Sequence, residues 1–169
     1  MATPTFRKTN NELSMVDGLV QLSFLIYGAL ERRASAHDAS MIQTRLLGIL
    51  RDRQPTMNEL AKLLDLDKSS MTGLVDRAER RGLVKRTPST TDRRAVTVSL
   101  TRAGRTFVSK LAAEFEADVA VIVRLVPAGD RAALSRVVSR LLVAHAAEHG
   151  VDLFPPSRAA ADPALSARS

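Results

Sequence analysis

Residues 56–86, Thr56-Met-Asn-Glu-Leu-Ala-Lys-Leu-Leu-Asp-Leu-Asp-Lys-Ser-Ser-Met-Thr-Gly-Leu-Val-Asp-Arg-Ala-Glu-Arg-Arg-Gly-Leu-Val-Lys-Arg86, decide the fold. Thr56 followed by Glu59 is a capping box: the Thr56 hydroxyl accepts from the Glu59 amide while the Glu59 carboxylate reaches back to the Thr56 amide. A short helix follows, with Leu60, Leu63 and Leu64 facing inward. Asp65-Leu66-Asp67 then turns the chain. Asp67 is a good N-cap for a second helix running to Arg81, with Met71, Leu74, Val75 and Ala78 as its apolar face. Gly82 stands just past the end as a left-handed cap, and Arg77, Arg80 and Arg81 lie in the last turns, where the helix dipole favours cations.

Beyond Gly82 the hydrophobic period changes from 3.6 to 2. Residues 83–87 read as one strand. Residues 95–100 read as another, with Val96, Val98 and Leu100 on one face and Ala95, Thr97 and Ser99 on the other. The stretch between them, residues 88–94, makes a hairpin whose tip is polar and cationic. A short helix, a turn, a second helix and a basic hairpin follow the order of a helix-turn-helix with an added wing. One α-helix fits the major groove of duplex DNA, its N-terminal residues meet base edges, and the preceding helix braces it on the backbone.

Helical patterns flank this unit. Residues 13–33 carry Leu13, Val16, Val20, Phe24, Tyr27 and Leu30 at helical spacing, and after a polar break a run from residue 41 carries Met41, Ile42, Leu46, Leu47, Ile49 and Leu50. On the far side Thr101 opens a long helix with Phe107, Leu111, Phe115, Val119, Ile122 and Val123 on one stripe. Pro127 suits the first turn of a last helix bearing Leu134, Val137, Val138, Leu141 and Leu142. After Gly150 the composition turns to Pro, Ala, Ser and Arg without periodicity, so residues 155–169 are expected to be a disordered tail, and residues 1–12 a flexible N-terminal arm. The fold class is therefore mainly α with a small β-hairpin.

Charge placement bears on the partner. The 169 residues hold 25 Lys and Arg against 18 Asp and Glu, a formal +7, with no Cys. Residues 1–67 and 106–169 are each neutral, and the whole excess falls in residues 68–105, where ten basic side chains meet three acidic ones. A cationic segment between neutral halves is an electrostatic footprint for a polyanion. The six aromatics include only Phe107 near that segment, which leaves no stacking platform for single strands and favours duplex DNA. Lys68, Ser69, Ser70, Thr72 and Gly73 occupy the reading end of the second helix, where hydroxyls and an ammonium can donate to phosphates or base edges. Arg93 and Arg94 at the hairpin tip can enter a minor groove.

Other classes fare worse. Without Cys there is no disulfide staple, thiolate nucleophile, thiolate zinc site or cysteine-oxidation sensor. No Gly-x-Ser-x-Gly, Gly-rich phosphate loop or purposeful carboxylate pair is patterned, so an enzyme is not expected. His145 and His149 stand at i and i+4, a spacing that can bind zinc, but no third ligand is patterned nearby and the helix dipole accounts for His at a helix end. No metal and no cofactor is expected. The longest apolar stretch, residues 19–30, is broken by Gln21, Ser23 and Gly28 and falls short of the roughly 18 residues a spanning helix needs. With no signal-peptide pattern either, a cytoplasmic location is expected.

The chain resembles the MarR family of bacterial transcription regulators through residues 56–67, residues 71–86 and Asp92-Arg-Arg-Ala-Val-Thr-Val-Ser-Leu-Thr-Arg-Ala-Gly104, the last fitting the family's Asp-x-Arg…Leu-Thr-x-x-Gly wing signature. The resemblance covers roughly residues 13–147. It implies a winged helix-turn-helix DNA-binding domain over residues 40–100 and a helical dimerization region built from residues 13–36 and 101–149. By analogy Arg94 is the wing arginine that contacts DNA, Asp92 orients the wing, and Ser69, Ser70 and Thr72 form the reading end. Many members carry a basic residue where this chain has Gly73, which leaves phosphate binding to Lys68 and Arg77. The resemblance further implies a homodimeric repressor on a pseudo-palindromic operator, relieved by a small aromatic or anionic effector in a crevice between the dimerization helices and the winged domain. Tyr27, Met41 and Arg45 are the polar or aromatic groups offered there. The alternative is a winged-helix DNA-binding or architectural protein with no effector.

Overall fold

A computed structural model describes residues 13–89 and 95–148. The elements run α1 (Met15–Ala36), α2 (Met41–Asp52), α3 (Met57–Leu64), α4 (Lys68–Arg80), β1 (Val84–Pro88), β2 (Val96–Leu100), α5 (Arg102–Arg124) and α6 (Ala128–Glu148). This is the expected mainly α architecture with one antiparallel hairpin.

Local chemistry sets the boundaries. Thr56 and Glu59 form the capping box read from sequence, and Ser40 with Gln43 forms a second one at the start of α2, inside what the sequence presents only as a polar break. Asp67 caps α4 by accepting from the Ser70 amide, and Thr101 caps α5 by accepting from Gly104. Gly82 takes φ +70, the left-handed conformation that ends α4 and turns the chain into β1.

The core lies under the helix-turn-helix. Leu46, Leu47 and Leu50 of α2, Leu60 and Leu64 of α3, Met71, Leu74, Val75 and Ala78 of α4, Val84 of β1, Val98 and Leu100 of β2 and Val108 of α5 form one buried cluster. The strands pair Val84 with Leu100, Arg86 with Val98 and Pro88 with Val96. A third segment joins them, because the Val98 amide donates to the Pro55 carbonyl and Thr56 bridges to Thr97. The hairpin is thereby fixed to the start of α3.

Gly104 shows how tightly α5 closes on this core. A Cβ there would stand 1.9 Å from the Leu83 carbonyl oxygen, a distance no side chain tolerates, so the glycine of the Leu-Thr-x-x-Gly signature is required by a close backbone approach.

Several expectations are corrected. Leu63 is 39% exposed: it lies about 100° around the helix from Leu64, off the face that Leu60 and Leu64 share with Met57 and Ala61. Val96 is likewise exposed, at the end of the hairpin farthest from the core, while Ser99 is buried. The apolar stripes of the outer helices are present but uncovered. Leu13, Val16, Val20, Phe24 and Tyr27 are exposed at α1, as are Leu134, Val137, Val138, Leu141 and Leu142 on α6, because no described residue covers those faces. Among the described residues, the C-terminal part of α1 is the part that is fastened, with Ala29 and Ala34 buried and Arg33 making a two-bond ion pair to Asp118 of α5.

Candidate nucleic-acid interface

Asp67 organises the N-terminal end of α4. The Ser70 amide donates to its carboxylate at 2.9 Å, and the Ser69 and Ser70 hydroxyls each donate to it at 2.6 Å. These bonds, led by the two hydroxyls, hold the Asp67 carboxyl far below the usual carboxylate range, so it stays anionic. The consequence alters the reading of both serines. Their protons point back to Asp67, so outward they present lone pairs, suited to base amino groups more than to phosphate oxygens. Thr72 is engaged too, its hydroxyl donating to the Lys68 carbonyl at 2.8 Å. Lys68, Ser69, Ser70 and Thr72 are all exposed on this end of the helix.

The acidic residues of the segment are neutralised internally. Arg86 on β1 donates to Asp76 at 2.6 Å and to Glu79, both on α4, and its own amide donates to Glu79 at 3.2 Å. Hydrogen bonds to ionised groups are the stronger kind, so this arginine ties β1 to α4. Two of the three acids in residues 68–105 are thus spent on Arg86. The remaining cations of the segment set the potential of the surface.

Arg81 does something the sequence did not reveal. Its guanidinium donates to the carbonyls of Asp38 at 2.6 Å and His37 at 3.1 Å, and it lies 5.7 Å from the centre of the Phe107 ring. The His37 ring meets Phe107 edge-on and bonds Glu114 of α5 at 2.7 Å. Arg81 therefore fastens the end of α4 to the α1–α2 turn instead of only answering the helix dipole. No local pattern announces a bond spanning that much sequence.

Lys68, Ser69, Ser70, Thr72 and Arg77 lie along one helix. A shallow groove lined by Ile42, Leu66, Ser69, Ser70, Gly73, Leu74 and Arg77 runs along it. The Arg77 guanidinium occupies the space over Gly73, where a Cβ would come within 3.4 Å of it. Asp92, Arg93 and Arg94 fall outside the described residues. Of the three residues offered to an effector, Arg45 lines a cleft of about 270 Å³ between α1, α2 and α5, with Leu30, Thr44, Arg51, Leu111 and Phe115. Tyr27, 52% exposed on α1, and Met41, at the start of α2, are not part of that lining. His145 lies in the last turn of α6, His149 falls outside the described residues, and no metal-ligating cluster occurs among the described residues. No described helix is long and apolar enough to cross a membrane.

Comparison with known proteins agrees with this geometry. Residues 37–95 match the model of the MarR family. YfiV of Bacillus subtilis (strain 168), an uncharacterized HTH-type transcriptional regulator, is 40% identical over 65 residues. The matched stretch is 38% of this chain and spans 41% of that relative's length. Among solved structures, RV1404 from Mycobacterium tuberculosis has a TM-score of 0.68 at 26% identity, covering 81% of this chain and 98% of the other. The MepR–DNA complex of S. aureus has a TM-score of 0.61 at 20% identity, covering 79% and 99%. The family model lies on the helix-turn-helix and the first strand of the hairpin, and over these residues the chain is similar to the MarR family, with a fold similar to that of RV1404.

Proposed function

We propose that this protein is a homodimeric transcription regulator that binds duplex DNA sequence-specifically and represses by occupying a pseudo-palindromic operator. One observation carries the reading: α4 presents an exposed end of Lys68, Ser69, Ser70 and Thr72 on the only stretch of the chain with excess positive charge, while Arg86 binds two of its acids. That is the polarity and shape a major groove accepts. The MepR–DNA complex, built on the same fold, supports DNA as the partner. The bare apolar faces of α1 and α6 support the dimer, since monomers rarely leave so continuous an apolar surface in water. Two protomers would set their α4 helices about 34 Å apart, one turn of DNA.

Regulation by a small effector rests on the cleft between α1, α2 and α5. Its walls are apolar except for Thr44, Arg45 and Arg51, and Arg51 is already paired with Asp52. Arg45 is then the cation for an anionic, apolar-bodied ligand.

Sequencing the genomic fragments that the protein retains tests the central claim. Enrichment of an inverted repeat with half-sites one turn apart is expected, and unselected fragments would refute sequence-specific binding. Arg94→Ala is expected to weaken binding to the enriched site and lower the salt slope by about one per protomer. An unchanged affinity and slope would remove Arg94 from the interface. Small aromatic acids that release the protein from its operator, and fail to release Arg45→Ala, would support the effector cleft.

A further inference from the structure

We infer that the cleft between the α1–α2 turn, the start of α2 and the C-terminal turns of α4 is a phosphate-binding site that seats the DNA backbone beyond the reading end of α4. The inference rests on the DNA-binding reading above and adds to it a contact region that the base-reading end and the wing do not supply. The cleft, about 520 Å³, is lined by Asp38, Gln43, Arg77, Arg80 and Arg81. Three arginines face one acid, and the guanidinium is the group best matched to phosphate oxygens.

The three arginines are not equivalent. Arg81 is preset: two backbone carbonyls and the Phe107 ring hold its guanidinium in place, so it contributes fixed positive charge at little further entropic cost. Arg77 and Arg80 are exposed, and neither guanidinium makes an ion pair or hydrogen bond to another described residue. Both are free to close on an anion. Gln43 uses its side-chain oxygen to accept from the Ser40 amide, which leaves its NH₂ to donate.

Position identifies the anion. Arg77 also lines the groove that holds Ser69, Ser70 and Gly73, so groove and cleft meet at this side chain and form one track along α4. A phosphodiester strand laid against the reading end continues along that track into the cleft. The contact carries no base information, so it adds affinity equally to every sequence.

Arg80 is the residue to test, since Arg81 also holds the fold together. Binding of the full chain to a mixed-sequence 40-base-pair duplex and to its enriched genomic site is measured between 50 and 200 mM salt for wild type, Arg80→Gln, Arg80→Lys and the charge-matched control Lys110→Gln on α5. Arg80→Gln is expected to lower the salt slope by about one per protomer on both duplexes, a loss of roughly threefold in the salt dependence for each contact removed. Arg80→Lys should restore the slope, and Lys110→Gln should leave it unchanged. A wild-type slope in Arg80→Gln overturns the inference while DNA binding stands. Absence of salt-dependent binding by the wild type overturns both readings. Saturable binding of inorganic phosphate that Arg80→Gln abolishes, with no change in the duplex slope, assigns the cleft to a free anion and refutes a backbone contact.

Discussion

The helix-turn-helix and the outer helices use the same amphipathic pattern with opposite outcomes. In α2, α3 and α4 the apolar side chains at helical spacing are buried or partly buried, Leu63 excepted, and the hairpin and the first half of α5 complete the enclosure. In α1 and α6 an equally regular stripe faces outward, with Phe24 66% and Val137 62% exposed. The difference teaches that one region buries its apolar faces among the described residues and the other does not. Burial of apolar surface is worth about 25 cal/mol per Å², so the first region has its stabilisation in hand, and the proposed dimer is what would supply it to the second.

The sharpest way to break the enclosed region is at its tightest point. Gly104→Ala places a methyl group 1.9 Å from the Leu83 oxygen, and relief requires separating α5 from the turn before β1. A loss of about 3 kcal/mol is expected, the upper end of overpacking costs. Chemical denaturation of wild type and variant measures it, and a loss below about 1 kcal/mol would mean that α5 can shift without disturbing the wing.

In the uncovered region the expected effect falls on association and not on the fold of the winged core. Phe24→Glu puts a charge on the outward face of α1, where an interface would have to bury it unpaired. Self-association is expected to weaken by at least roughly 100-fold, about 2.7 kcal/mol, while the helical circular dichroism signal per residue is largely retained. Sedimentation equilibrium reads the first quantity. A dimer of unchanged affinity would place the interface elsewhere.

What could be read beforehand divides along the same line. Caps and breaks are local, so Thr56 with Glu59, Asp67 and Gly82 announced their helices from residue type and spacing. The charge excess of residues 68–105 likewise needed only counting. Periodicity establishes that a face is apolar but not what covers it, which is why the stripes of α1 and α6 were legible and their exposure was not. Arg81 illustrates the second limit. Its dipole argument was sound locally, yet its partners are carbonyls on the far side of α2, and only the folded chain brings them together. Ser69 and Ser70 illustrate a third: residue type gives a hydroxyl both roles, and the neighbouring Asp67 decides which one is left to face outward.

The smallest expected effect lies at the seam between the two regions, where Arg33 pairs with Asp118 and His37 bonds Glu114. The hydrogen bond from Arg33 depresses the Asp118 carboxyl below its ordinary value of 3.8, and that from His37 depresses Glu114 below 4.5. A carboxyl held low in the folded chain contributes stability that is complete above its unfolded value and is lost as pH falls through the folded one. The melting temperature should therefore be insensitive to these groups from pH 7 down to about 5, then decline from about pH 4.5 as both are protonated. Asp67, Glu59 and Asp52 are depressed as well, so the wild-type curve alone cannot isolate the seam. The difference between wild type and Glu114→Gln/Asp118→Asn can: the variant should melt lower at pH 7, and the two curves should approach each other as pH falls below the ordinary carboxyl values and meet once it is below the lowered folded ones. The gap should be modest, since both pairs are partly exposed and water screens them. Parallel curves across that range would mean that the seam carries no titratable stability and that shape alone holds α1 to α5.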